Sequence, residues 1–84
     1  MLTILPIDPE VIDQAKKHNI SKKFTKCCNL IVTNIAHPGL NVELMQPKQL
    51  EIYSFRIDKK YRAIFLYREN KQAIEVIAIT VHYH

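Results

Sequence analysis

Arg56 and Arg62 sit on either side of a short polar turn in the run Tyr53-Ser-Phe-Arg-Ile-Asp-Lys-Lys-Tyr-Arg-Ala-Ile-Phe65. Residues 52–57 and 61–67 are rich in β-branched and aromatic side chains, and Asp58-Lys59-Lys60 between them is polar, so the pattern predicts a hairpin. Symmetric pairing about that turn sets Arg56 opposite Arg62. Like charges placed this way repel unless an anion lies between them, and the planar guanidinium fork suits phosphate. The chemistry to expect is therefore phosphate binding. The apolar run from Ala73 to Val81 is expected to form the neighbouring antiparallel strand, its end lying beside the strand that starts at Tyr61. That arrangement carries His82, and Tyr83 after it, toward Arg62. A histidine there could donate a proton near neutrality, since its unperturbed pKa is about 6.5.

The elements that must position these residues can be read from the rest of the chain. Asp8-Pro9-Glu10 opens a helix: Asp8 can cap free amides, Pro9 suits the first helical position, and Glu10 favours the positive end of the dipole. This helix is expected to fade near His18-Asn19, with a second beginning around Ser21. In the second, Phe24, Cys28, Ile31 and Ile35 recur at helical spacing, Ile20, Cys27 and Val32 widen the stripe, and Lys22, Lys23 and Lys26 lie off it. His37-Pro38-Gly39 reads as its end. Leu40 to Met45 alternates as a short strand closed by Pro47, and Leu2 to Leu5 is a candidate further edge strand. The order predicts an α+β fold: two N-terminal helices packed on a small, mainly antiparallel sheet. On the last two strands Phe65, Ile77 and Ile79 are expected on one face and Ile64, Leu66, Val76 and Ala78 on the other. Two helices cover one face, so the other calls for a protein partner.

The 84 residues make a single domain, 1–84, and 48% hydrophobic content with one Gly and four Pro excludes a low-complexity or disordered chain. A net charge of +4 favours anionic partners. Met1 to Ile7 lacks a basic leader and is broken by Pro6, and the longest later apolar run carries Glu75, so neither a signal peptide nor a membrane span is expected and the cytoplasm is the default location. Cys27 and Cys28 are adjacent in a helix, a spacing unsuited to a disulfide or zinc site, and read as packing residues. His82 and His84 alternate onto one strand face, but without a third ligand no metal or cofactor is expected. His18 and His37 read as helix-end residues.

Two short helices before an antiparallel meander, a strand opening Tyr61-Arg62-Ala-Ile-Phe65 and a terminus reading His82-Tyr83 resemble the RelE/ParE toxin superfamily over nearly the whole chain. The likeness is strongest to the ribosome-dependent mRNA interferases of the RelE, YoeB and HigB kind. It implies the toxin of a type II toxin-antitoxin pair, a metal-independent endoribonuclease that cleaves mRNA on the ribosome. By position Glu43 is similar to the general base of YoeB-like members, Arg62 to the phosphate arginine, and His82 with Tyr83 to the terminal pair. Arg56 is similar to an additional basic residue of the preceding strand, and Lys59, Lys60 and Arg68 would add RNA-binding charge. Cleavage by the RNA's own 2′-hydroxyl needs a base, cations on the phosphate and an acid for the departing 5′-oxygen, roles that Glu43, Arg62 with Arg56, and His82 fit in turn. Tyr83 could stack on a base. The implied partners are a cognate antitoxin, mRNA and the ribosome, in a homodimer or a heterotetramer with the antitoxin. The alternative is a ParE-like or degenerate member that inhibits by binding a protein such as gyrase and cleaves nothing.

Overall fold

A computed structural model describes residues 2–81. The chain runs β1 (Thr3–Ile4), α1 (Pro9–Lys17), α2 (Ser21–Thr33), β2 (Glu43–Leu44), β3 (Ile52–Arg56), β4 (Tyr61–Arg68) and β5 (Ala73–Val81), with single 3₁₀ turns at Pro38–Leu40 and Lys48–Leu50. The strands form one sheet in the order β1-β5-β4-β3-β2, antiparallel except where β1 lies parallel to β5. This is the α+β architecture expected, including the edge strand within Leu2–Leu5.

Both helices start where the sequence places them. Asp8 Oδ1 accepts the Glu10 amide at 2.8 Å with Pro9 in the first turn, and α1 stops as Asn19 enters the left-handed region at φ 59°. The second helix ends earlier than expected. It terminates at Thr33, whose hydroxyl donates to the Leu30 carbonyl at 3.0 Å, so His37-Pro38-Gly39 belongs to the following 3₁₀ turn and Ile35 packs from a loop. The strand expected over Leu40 to Met45 is likewise shorter. Leu40 is a fully buried core plug at the end of that 3₁₀ turn, Asn41 is left-handed at φ 44°, and only Glu43 and Leu44 pair with β3.

The central hairpin has the expected register, with Arg56 paired to Arg62. Its turn is held by Asp58, whose Oδ1 accepts the Lys60 and Tyr61 amides, both at 2.8 Å. The core lies between the helices and one sheet face, where Phe24, Ile31, Phe55, Phe65 and Ile74 are buried. A bulge between β4 and β5 corrects the predicted faces. Ile64 pairs with Ala78 and Phe65 with Val76, so Ile77 is the extra residue; Val76 joins Phe65 in the core and Ile77 is 41% exposed. The sheet's second face carries Ile64 and Leu66, both half-buried, together with Ser54 and Arg62.

Candidate functional site

Arg62 is only 3% exposed and lies beneath the sheet's second face rather than projecting from it. The reason lies in its neighbours. Its Nε donates to Ser54 Oγ at 2.9 Å, and its Nη2 donates to the Ser54 carbonyl at 3.3 Å and to the Asn41 carbonyl. Ser54 faces it from β3, and the left-handed bend at Asn41 turns a backbone carbonyl onto the guanidinium. A buried guanidinium is tolerable only when its donors are satisfied in this way.

Glu43 completes the cluster from β2. One carboxylate oxygen stands 3.9 Å from Arg62 Nη2, and the other accepts from Asn41 Nδ2 at 3.3 Å. Its side chain stays 51% exposed, so the carboxylate meets both solvent and the buried cation. Burial lowers the Arg62 pKa, the Glu43 carboxylate opposes that, and the like charge of Arg56 adds to it. Arg62 nevertheless remains a cation, because a guanidinium titrates far above neutral pH. The facing arginines avoid each other through separate partners: Arg56 is exposed, and its Nε donates to the Asp58 carbonyl at 3.4 Å. Glu43 supplies an anion beside Arg62, while Arg56 turns toward the hairpin turn.

A groove of about 380 Å³ opens beside this cluster, between residues 43–46 on one side and Ser54, Arg62, Ile64 and Thr80 on the other. Thr80 pairs with Arg62 and Val81 with Tyr61, as the sequence predicts for the end of β5; His82 and Tyr83 lie outside the described residues. Lys59 and Lys60 are exposed in the hairpin turn next to Arg56. Arg68 is not brought to this place. It ends β4, about 20 Å along the strand from Arg62 by the usual rise per residue, and is paired with Glu75 at 2.8 Å. Among the described residues no group of three or more His, Cys, Asp or Glu side chains gathers to hold a metal.

Ser54 and Asn41 escaped the sequence reading. Ser54 left one clue, as the single small polar residue in Ile52-Tyr53-Ser54-Phe55. Asn41 acts through its backbone and left none. His18 does more than end a helix: its ring stacks on Tyr61 with centroids 4.7 Å apart, and its Nδ1 shares a 3.2 Å hydrogen bond with the Tyr61 hydroxyl. This ties the end of α1 to the first residue of β4, one position before Arg62.

No protein-family model matches the chain, and no curated protein matches it in sequence. Solved structures do match. A chain of the heterotetrameric YoeB-YefM toxin-antitoxin complex from Staphylococcus aureus superposes with a TM-score of 0.67 at 22% identity, over 99% of both chains. YafQ from E. coli gives a TM-score of 0.71 at 8% identity, over 98% of this chain and 92% of its own. This chain has the fold of YoeB-like toxins. The YoeB/ParE toxin from Agrobacterium tumefaciens matches it as well, with a TM-score of 0.61 at 18% identity over 98% of each chain. A shared fold does not transfer chemistry, so the activity must be argued from the residues.

Proposed function

We propose that the chain is the toxin of a type II toxin-antitoxin pair and acts in the cytoplasm as a ribosome-dependent, metal-independent mRNA endoribonuclease. The observation that carries this reading is the half-exposed Glu43 carboxylate 3.9 Å from the Arg62 guanidinium at the edge of an open groove. In that arrangement Glu43 takes the proton from the 2′-hydroxyl, and the oxygen attacks phosphorus. Arg62 and the exposed Arg56 offset the charge that gathers on the phosphoryl oxygens. The bond to the 5′-oxygen then breaks, and His82 supplies its proton, leaving a cyclic phosphate. Tyr83 serves as a base-stacking or orienting group, and Lys59 and Lys60 hold the RNA strand beyond the turn. Arg68 would contact RNA only at the far end of β4.

The ParE-like reading, inhibition by binding a protein such as gyrase, keeps one observation in its favour. The Arg62 donors at Nε and Nη2 already have internal partners, which a residue serving only the fold would also show. Primer extension on mRNA from cells expressing the chain separates the two. Cuts at defined positions support cleavage; arrested growth with intact mRNA and trapped gyrase-DNA complexes supports the rival. The antitoxin is proposed to cover the sheet's second face, where Ile64 and Leu66 are half-buried and the groove lies.

A further inference from the structure

At the other end of the hairpin, away from Glu43 and Arg62, Tyr53 and Tyr67 build an aromatic corner. Their ring centroids are 5.1 Å apart and their planes cross at 81°. Both rings are fixed from below by Phe65, whose centroid is 5.6 Å from Tyr53 and 5.7 Å from Tyr67. The corner opens into a cavity of about 190 Å³ whose rim includes Glu51, Glu69, Asn70 and Lys71. In this edge-to-face pair one ring's rim meets the other's face, and both tyrosines line the cavity, where the π-surface left uncovered attracts an organic cation as in aromatic cages.

The charges around the corner point the same way. Arg68 also lines the cavity, but it is neutralised by Glu75 through a 2.8 Å contact. Glu51 and Glu69 then outnumber Lys71, leaving a local negative excess in a chain whose net charge is +4. An anionic ligand such as an RNA phosphate is disfavoured here. Lys71 itself supplies a second, independent observation: its Nζ stands over the Tyr67 ring, 5.9 Å from the centroid. The protein's own ammonium group thus already uses one face of the corner.

We propose that this corner is a binding site for a guanidinium or alkylammonium group, taken up by Tyr53 and Tyr67 with Glu51 and Glu69 as counter-charges and with Lys71 as an internal competitor. The site is independent of the groove beside Arg62 and of any cleavage activity. Titration of the purified protein with N-acetyl-arginine amide, followed by the ring NMR signals of Tyr53 and Tyr67, tests it. Its neutral isostere, N-acetyl-citrulline amide, is the control. A saturable shift of both rings by the arginine compound, with a Kd on the order of 1–10 mM and little response to the citrulline compound, is the expected result. An arginine-bearing hexapeptide that binds more tightly assigns the cation to a protein partner; equal affinity assigns it to a free small cation. Glu51→Gln with Glu69→Gln should weaken binding several-fold without touching the packed rings, and Lys71→Ala should strengthen it. Equal shifts from the citrulline compound, no saturation at tens of millimolar, or weaker binding by Lys71→Ala overturns the proposal.

Discussion

Glu43 and Arg62 touch, yet their substitutions should behave differently, because one is half exposed and the other is buried among its hydrogen-bond partners. Arg62→Ala removes three charge-assisted hydrogen bonds, to the Ser54 hydroxyl and to the Ser54 and Asn41 carbonyls. A loss of roughly 2–4 kcal/mol in urea denaturation is expected, so inactivity of this variant alone would say nothing about chemistry. Glu43→Gln avoids that ambiguity. The 3.9 Å pair is loose, its carboxylate is half exposed, and the neutral amide keeps an oxygen toward Arg62 and Asn41, so stability should stay within about 1 kcal/mol of the parent. If Glu43 is the base, single-turnover cleavage on programmed ribosomes should fall by about 10²–10⁴-fold. A folded Glu43→Gln variant that cuts at the parental rate removes Glu43 from the mechanism. The cysteines differ for a similar reason. Burial pushes the Cys28 thiol up to about 12, while Cys27 is raised less and donates to the Arg56 carbonyl at 3.4 Å. With so little thiolate at pH 8, Cys28 should resist iodoacetamide until the chain unfolds, and mass spectrometry of timed alkylation should find Cys27 modified first.

Turns and hairpins show how sequence legibility depends on the residues that build each element. The β3–β4 hairpin was legible down to its register, because Asp58-Lys59-Lys60 interrupts two runs of β-branched and aromatic residues and a symmetric turn leaves one pairing. Left-handed turns were not legible. The chain has one glycine, and among the described residues the positive-φ positions outside Asn are Glu51, Glu69 and Lys71, residues that carry no turn signal. The bulge at Ile77 was hidden for a related reason: an unbroken apolar run looks the same with or without an extra residue. Around the candidate site, the pairing of Arg62 with Arg56 and with the end of β5 was legible, but the burial of Arg62 was not, since it comes from Ser54 and the Asn41 carbonyl. Replacing a left-handed side chain by glycine should relieve the crowding of its Cβ. Glu69→Gly, at φ 54°, is therefore expected to raise stability by about 0.5–1 kcal/mol, read as a higher urea midpoint. Acid should act through the hairpin turn. Partial desolvation raises the Asp58 pKa, but the Lys60 and Tyr61 amides and Lys23 outweigh it and hold the carboxyl below its ordinary 3.8. A depressed folded pKa stabilises above 3.8, and that contribution disappears as pH falls through the folded value. Asp58→Asn should flatten the decline in stability below about pH 4.

The molecule as a whole has one sheet face closed by helices and another on which the groove and half-buried Ile64 and Leu66 lie together. A partner laid over that second face would exclude substrate simply by occupying the same ground, so inhibition and protein binding should be one event. The bulge offers a way to separate binding from folding, because it turns Ile77 outward while Val76 stays in the core. At an exposed position Ile77→Glu should change stability by no more than about 0.5 kcal/mol. In an apolar contact the same carboxylate must be desolvated without a partner, and binding should weaken by at least about tenfold. Calorimetry with the product of a neighbouring antitoxin-like gene, if that product binds, measures the effect, and cleavage assays should show the variant escaping inhibition to the same degree. Equal affinity of parent and Ile77→Glu would place the partner elsewhere, on the helices, where Ile12 is exposed. Inhibition would then have to act at a distance from the groove, and the proposal that one surface serves both substrate and partner would fall.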